Sequence, residues 1–206
     1  MCFWASSVFR LELKLFIIKG DTVKLIKLEF LQKEDFNKIV QWNSDNSRDF
    51  LYQWAGSWYQ YPITEKQLED RIINKANKSD SELYVYKILN QTNEMIGTIE
   101  LFKIDRIAGT AVAGKFLIGD ESQRGRGLGK QILKELVRIG FNELGLNTIG
   151  INVYDFNVGA IRCYESVGFV KKNLSEKVYK SENGFWNLYE MSINKENFKN
   201  NSLEGE

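Results

Sequence analysis

Histidine is absent from the 206 residues, and that absence removes more chemistry than any other feature of the composition. No Ser-His-Asp or Cys-His nucleophile, imidazole base or histidine metal ligand can be built. Any proton must therefore move through a carboxylate, Tyr, Lys, water or the substrate. Cysteine is scarce: Cys2 and Cys163 make neither a four-thiolate zinc site nor a disulfide framework, which points to a reducing, cytoplasmic setting without a metal. With 28 basic and 27 acidic residues, the chain has no net field that would gather nucleic acid. Apolar runs approaching the ~20 residues of a membrane span are also missing. Residues 1–18 resemble a secretion signal only until Arg10, Glu12 and Lys14 interrupt the apolar region.

What is present is a core. Thirteen Phe, nine Tyr and five Trp within 43% hydrophobic content suit one globular domain. We read it as residues 23–195, after an extension over 1–22 and before a polar tail, 196–206, expected to be disordered. Alternation from Val8 to Ile18 and from Val23 to Phe30 fits an N-terminal hairpin, although the first segment reads equally well as a floppy extension. Helical spacing covers Gln32–Trp42 and Thr64–Ala76, the second opening on a Thr64–Gln67 capping box. The aromatic stretch from Phe50 to Tyr61 reads as a loop. Strands are expected at Leu83–Leu89, Met95–Phe102, Ala111–Ile118, Thr148–Val153 and Trp186–Ile193. The glycine stretch leads into a helix with its apolar face on Leu128, Ile132, Leu133, Leu136, Ile139 and Leu144, and another runs from Val158 to Val167, ended by Gly168. The order implies an α+β, three-layer α/β/α fold with helices flanking a mixed, mostly antiparallel sheet.

Between the third of these strands and its helix lies Arg124-Gly125-Arg126-Gly127-Leu128-Gly129-Lys130. Alternate glycines let backbone approach a ligand, and the following helix adds unpaired N–H groups and a positive dipole end, which together suit phosphate. Two nucleotide fingerprints fail on spacing. A dinucleotide loop needs glycine where Lys130 stands, and a P-loop needs glycine at Arg124 and Ser or Thr at Gln131. A plain connecting turn is the bland alternative, but Arg124, Arg126 and Lys130 add cationic donors where an anion would sit. A second constellation follows: Asn157 and Tyr164 are two helical turns, ~10 Å, apart on one face. They serve equally as a helix cap and a packed aromatic.

Together these segments resemble the GNAT family of N-acetyltransferases, whose Q/R-x-x-G-x-G/A loop is matched by Arg124, Gly127 and Gly129. Ile118-Gly119-Asp120 and the segment from Asn157 to Phe169 are similar to the RimJ/RimL-like branch. The resemblance runs from about Val23 to Ile193. It implies acetyl-CoA as co-substrate and direct attack by a primary amine, on a protein N-terminus or small molecule, without an acyl-enzyme. A non-catalytic acyl-CoA-binding or regulatory module is the alternative. It further implies that Phe116, Leu117 and Ile118 offer main-chain groups to the pantetheine arm and thioester. Arg124, Gly125, Arg126, Gly127, Leu128, Gly129 and Lys130 would hold the pyrophosphate, Asn157 the pantetheine amide, and Tyr164 would protonate the leaving thiolate. Cys163, beside Tyr164, reads as a buried spectator. Glu100 is the first candidate for a base, with Glu121 and Asp105 behind it, against the reading of a solvated strand-edge carboxylate. Trp54 and Trp58 are candidates for the acceptor, with core packing an equal account of Trp54. A monomer or homodimer is expected, with no membrane or nucleic-acid partner.

Overall fold

Residues 26–198, described by a computed structural model, contain seven strands: β1 (Ile26–Phe30), β2 (Leu83–Asn90), β3 (Met95–Asp105), β4 (Thr110–Ile118), β5 (Thr148–Tyr154), β6 (Val170–Ser181) and β7 (Gly184–Asn194). They form one sheet in the order β1-β2-β3-β4-β5-β7-β6. Every neighbouring pair is antiparallel except β4–β5, which is parallel. The extension 1–22, with the expected strand Val8–Ile18, lies outside the described residues.

Helices cover both faces. On one lie α1 (Phe36–Ser44), α2 (Arg48–Ala55) and α3 (Glu65–Ile72), burying Phe36, Ile39, Leu51 and Leu68 against Val85 and Leu89 of β2. On the other lie α4 (Leu128–Arg138) and α5 (Val158–Val167). The apolar spacing of α4 puts Leu128, Ile132, Leu133, Leu136 and Val137 into the larger core, beside Ile99 and Leu101 of β3. Each fully buried aliphatic side chain there stabilises the fold by about 1.5–3 kcal/mol, so α4 is fixed against the sheet. Truncating Leu133 to Ala would cost about 2–5 kcal/mol.

Two elements correct the sequence reading. The aromatic stretch is not all loop: Phe50, Tyr52 and Trp54 belong to α2, which starts where the Ser47 hydroxyl accepts from the Phe50 N–H at 3.1 Å and stops at Gly56, φ +63°. Strand β6 is the second, because nine of its twelve residues are exposed and its sequence carries no apolar alternation. The expected capping box is half made. Thr64 Oγ1 accepts from the Gln67 N–H at 3.3 Å, whereas the Gln67 side chain reaches away to Gln60 and Pro62. Of the tail expected from residue 196, the described part continues a helical turn in which Phe198 meets Phe141, ring centroids 5.7 Å apart.

Candidate active site

Strands β4 and β5 pair only from Thr110↔Thr148 to Ala113↔Ile151 and then diverge. The divergence coincides with a bulge. Gly114 pairs with Glu100 and Leu117 with Thr98, so Lys115 and Phe116 together oppose the single residue Ile99. Lys115 takes φ +45°, a left-handed conformation uncommon for a residue with a Cβ. The strand bends away and leaves a cavity of about 880 Å³ in the gap. Gly114 to Ile118 form one wall and Asn152 to Tyr154 the other.

The glycine loop closes one end. Gly125 (φ +72°) and Gly127 (φ +75°) are both left-handed, and a Cβ on either would project into open space. Helices α2, α3 and α5 each begin with a capping side chain, but α4 begins on Gly127 with none, so its first N–H groups have no side-chain partner. Arg124, Gly125, Gly127, Gly129 and Lys130 line the cavity, whereas Arg126 and Leu128 do not. Leu128 packs in the core, and Arg126 donates to Gln123 Oε1 at 2.9 Å. Arg124 shapes the loop: its Nε donates to the Ile118 carbonyl at 2.8 Å and its Nη1 to Glu121 at 2.9 Å. Before the loop, a Cβ at Gly119 would fall 2.0 Å from the Trp42 ring, so only glycine fits there.

Helix α5 supplies the floor. Asn157 Oδ1 accepts from the Ala160 N–H at 3.1 Å, which commits the oxygen to the cap and leaves the side-chain NH2 for a ligand. Tyr164 is buried and lines the cavity, and its hydroxyl makes no hydrogen bond among the described residues. Burial, followed by the neighbouring Cys163, holds the phenol well above its ordinary pKa, so it stays protonated at neutral pH. Burial also raises the Cys163 thiol.

The remaining side of the cavity belongs to α2, through Phe50, Gln53 and Trp54. Trp54 is anchored by its Nε1–H donating to Asn43 Oδ1 at 3.0 Å. Trp58 lies outside the cavity lining and is half exposed, with the Arg71 guanidinium 4.9 Å and the Lys115 ammonium 4.7 Å from its ring. The three carboxylates considered as bases all have other partners, and none lines the cavity. Glu100 accepts from both Arg71 terminal nitrogens, at 2.6 and 2.7 Å. Glu121 takes Arg124, and Asp105 accepts from the N–H groups of Ile107 and Ala108 in the far turn.

Sequence reading passed over Lys115, Arg71, Tyr154 and Arg162. For Arg162 a signal existed: it lies within the segment from Asn157 to Tyr164. For Lys115 and Arg71 none did, because their meeting with Glu100 requires the folded sheet.

A parallel pair that splays beside a glycine loop and an uncapped helix start defines an acyl-CoA transferase site. Residues 26–170 match the family model described as an acetyltransferase (GNAT) domain, and the chain belongs to that family. It is an N-acetyltransferase that takes the acetyl group of acetyl-CoA and passes it to an amine. The chain is 28% identical over 171 residues to the Bacillus subtilis (strain 168) protein named Probable N-acetyltransferase YjcK, covering 82% of this chain and 92% of that one. To the SPbeta prophage-derived uncharacterized N-acetyltransferase YokL of the same organism it is 31% identical, over 68% of this chain and 77% of that one. Among solved structures, the fold is similar to a Vibrio cholerae spermidine N-acetyltransferase in complex with CoA and spermine. The TM-score is 0.71 at 19% identity, covering 85% of this chain and 98% of that one. A dodecameric form of that enzyme gives 0.69 at 20% identity, covering 86% and 98%.

Proposed function

We propose that this enzyme acetylates an amine carrying a single positive charge, foremost the α-amine of a polypeptide N-terminus, by direct attack within a ternary complex. The observation that carries the reading is the charge of the cavity: Lys115, Arg124, Lys130 and Arg162 line it, and no carboxylate does. Arg124, Lys130 and Arg162 attract the phosphates of acetyl-CoA, and the lining as a whole gives a polycation no counter-charge. It also contains no carboxylate to deprotonate a strongly basic amine. An α-amine, with an ordinary pKa of about 7.7–8.0, is partly neutral at pH 7, whereas an alkylamine near 10.4 is almost wholly protonated.

In this reading the glycine loop and the start of α4 hold the pyrophosphate, and the Asn157 NH2 group donates to a pantetheine carbonyl. The thioester lies in the β4–β5 gap beside Phe116, Leu117 and Ile118, whose main-chain groups face the forming oxyanion. The acceptor enters from the α2 side past Trp54. Its nitrogen forms the new C–N bond as the C–S bond breaks; the departing thiolate takes the Tyr164 proton, and the proton that the acceptor nitrogen sheds passes through water to restore the phenol. The likeness of 118–120 and 157–169 to the RimJ/RimL-like branch supports the N-terminal acceptor, and the spermidine enzymes share the fold. A cytoplasmic protein working as a monomer or homodimer completes the reading. Among the described residues no helix is long and apolar enough to cross a membrane.

Turnover of acetyl-CoA over a panel of N-terminal peptides, monoamines and polyamines, with intact-mass analysis of ribosomal proteins, tests this reading. Peptide acetylation with a mass gain at the N-terminus supports it; efficient turnover of spermidine alone overturns it.

A further inference from the structure

Lys115 is a buried cation that the chemistry above does not use. Its side chain is 3% exposed, with the ammonium 4.0 Å from the Phe102 ring centroid, 4.7 Å from that of Trp58, and 3.8 Å from Glu100 Oε2. The charged groups facing it are Glu100 and Lys103 on β3 and Arg71 on α3, with Tyr59 beyond Arg71. Because Arg71 already engages both Glu100 oxygens, two cations share one carboxylate and the cluster keeps a net positive charge. Burying that charge costs stability, since apolar residues of similar volume often replace buried ions without loss. The cost is accepted beside the gap where the acceptor must approach, and a charge shielded from water acts over longer distances than a surface one.

We propose that Lys115 is a specificity-determining residue whose buried positive charge, left uncompensated by the Arg71–Glu100 pair, excludes acceptors that carry a second positive charge. The inference rests on the acceptor class proposed above and assigns a residue to it. The field repels a diamine or polyamine more than a monoamine and favours the neutral form of whichever amine enters. The aromatic faces around it do not serve a cationic substrate, because Trp58 and Phe102 already receive the chain's own cations. Desolvation by burial lowers the Lys115 pKa to about 8 against the opposing pull of Glu100, so the filter weakens in mild alkali.

The experiment compares kcat/KM for butylamine, 1,4-diaminobutane, spermidine and an N-terminal peptide. It uses the wild-type enzyme, Lys115→Met and Lys115→Arg, at pH 7 and pH 9. At pH 7 the wild type should favour butylamine over 1,4-diaminobutane by roughly tenfold, the size expected of one charge acting through partly shielded surroundings. Lys115→Met should erase most of that ratio without raising the KM for acetyl-CoA, and its melting temperature should hold or rise. Lys115→Arg should keep the ratio at both pH values, whereas the wild-type ratio should shrink at pH 9. A wild type indifferent to the second charge, or a Met variant with an unchanged ratio, overturns the role of Lys115 while leaving peptide acetylation standing. Failure to acetylate peptides and monoamines overturns the acceptor class itself, and this inference with it. If Lys115→Met does not fold, the contrast between wild type and Lys115→Arg across the two pH values, in which the diamine's own titration is common to both, decides the same point.

Discussion

Arg71 holds Glu100 with both terminal nitrogens, at 2.6 and 2.7 Å, in a pair whose side chains are 11% and 4% exposed. The two residues lie 29 positions apart and join α3 to the strand that backs the β4 bulge. Breaking a buried pair leaves the surviving charge in a medium that solvates it poorly. Glu100→Gln should therefore destabilise the fold by about 3–5 kcal/mol, measured by urea unfolding. Turnover in the fraction that remains folded should persist, because both carboxylate oxygens are already occupied by Arg71. A stable variant without turnover would instead make Glu100 the base.

Tyr164→Phe should separate chemistry from packing. The hydroxyl makes no hydrogen bond among the described residues, so melting temperature should hardly move. Loss of the proton donor should lower kcat by roughly 10²-fold, the low end of general-acid effects, with acetyl-CoA affinity little changed. Activity, calorimetry and melting on one preparation check all three.

Gly127→Val places a branched side chain at φ +75°, next to the first N–H groups of α4. No atom blocks its Cβ, so the folding cost is conformational, about 1–2 kcal/mol. The larger effect should be on coenzyme A affinity, measured by calorimetry, because the side chain occupies space that the pyrophosphate needs. Unchanged affinity in a folded variant would place the phosphates elsewhere.

Stability should respond to alkali through Lys115. The unfolded chain keeps this proton to about pH 10.5, while the folded protein releases it near 8. Below pH 8 both states are protonated and the folded state bears the whole cost of burial; between 8 and 10.5 the cost is relieved and stability rises. The contribution is about 3 kcal/mol at most. Urea unfolding of wild type against Lys115→Met should show a stability gap that narrows from pH 7 to pH 10.

Much of this architecture is legible in the chain. Leu128 to Leu136 repeat at helical spacing, and Val158 to Gly168 carry both a cap and a stop, so α4 and α5 fall where the pattern puts them. The glycine loop is local chemistry and reads directly. Strand β6 is hidden because a solvent-facing edge strand needs no apolar alternation. Helix α2 is hidden because Phe50, Tyr52 and Trp54 repeat every second residue, like a strand. The opening of the site is less visible still. It depends on an extra residue in β4, on a lysine in a left-handed conformation, and on an ion pair between residues far apart in sequence, none of which leaves a local pattern.

The order β5-β7-β6 has a consequence for how the enzyme is made. The last of the described strands in chain order, β7, is an interior one, seated between β5 and β6. At the hairpin end, Tyr179 donates to Asp49 at the start of α2, so the helix beside the cavity is tied to residues 130 positions later. A chain emerging from the ribosome can therefore assemble its amino-terminal layers while β5 still shows a bare edge and β6 has no partner. Emergence of β7 fills that slot, and a chain that stops short of it should survive in the cell chiefly as a substrate for chaperones and proteases.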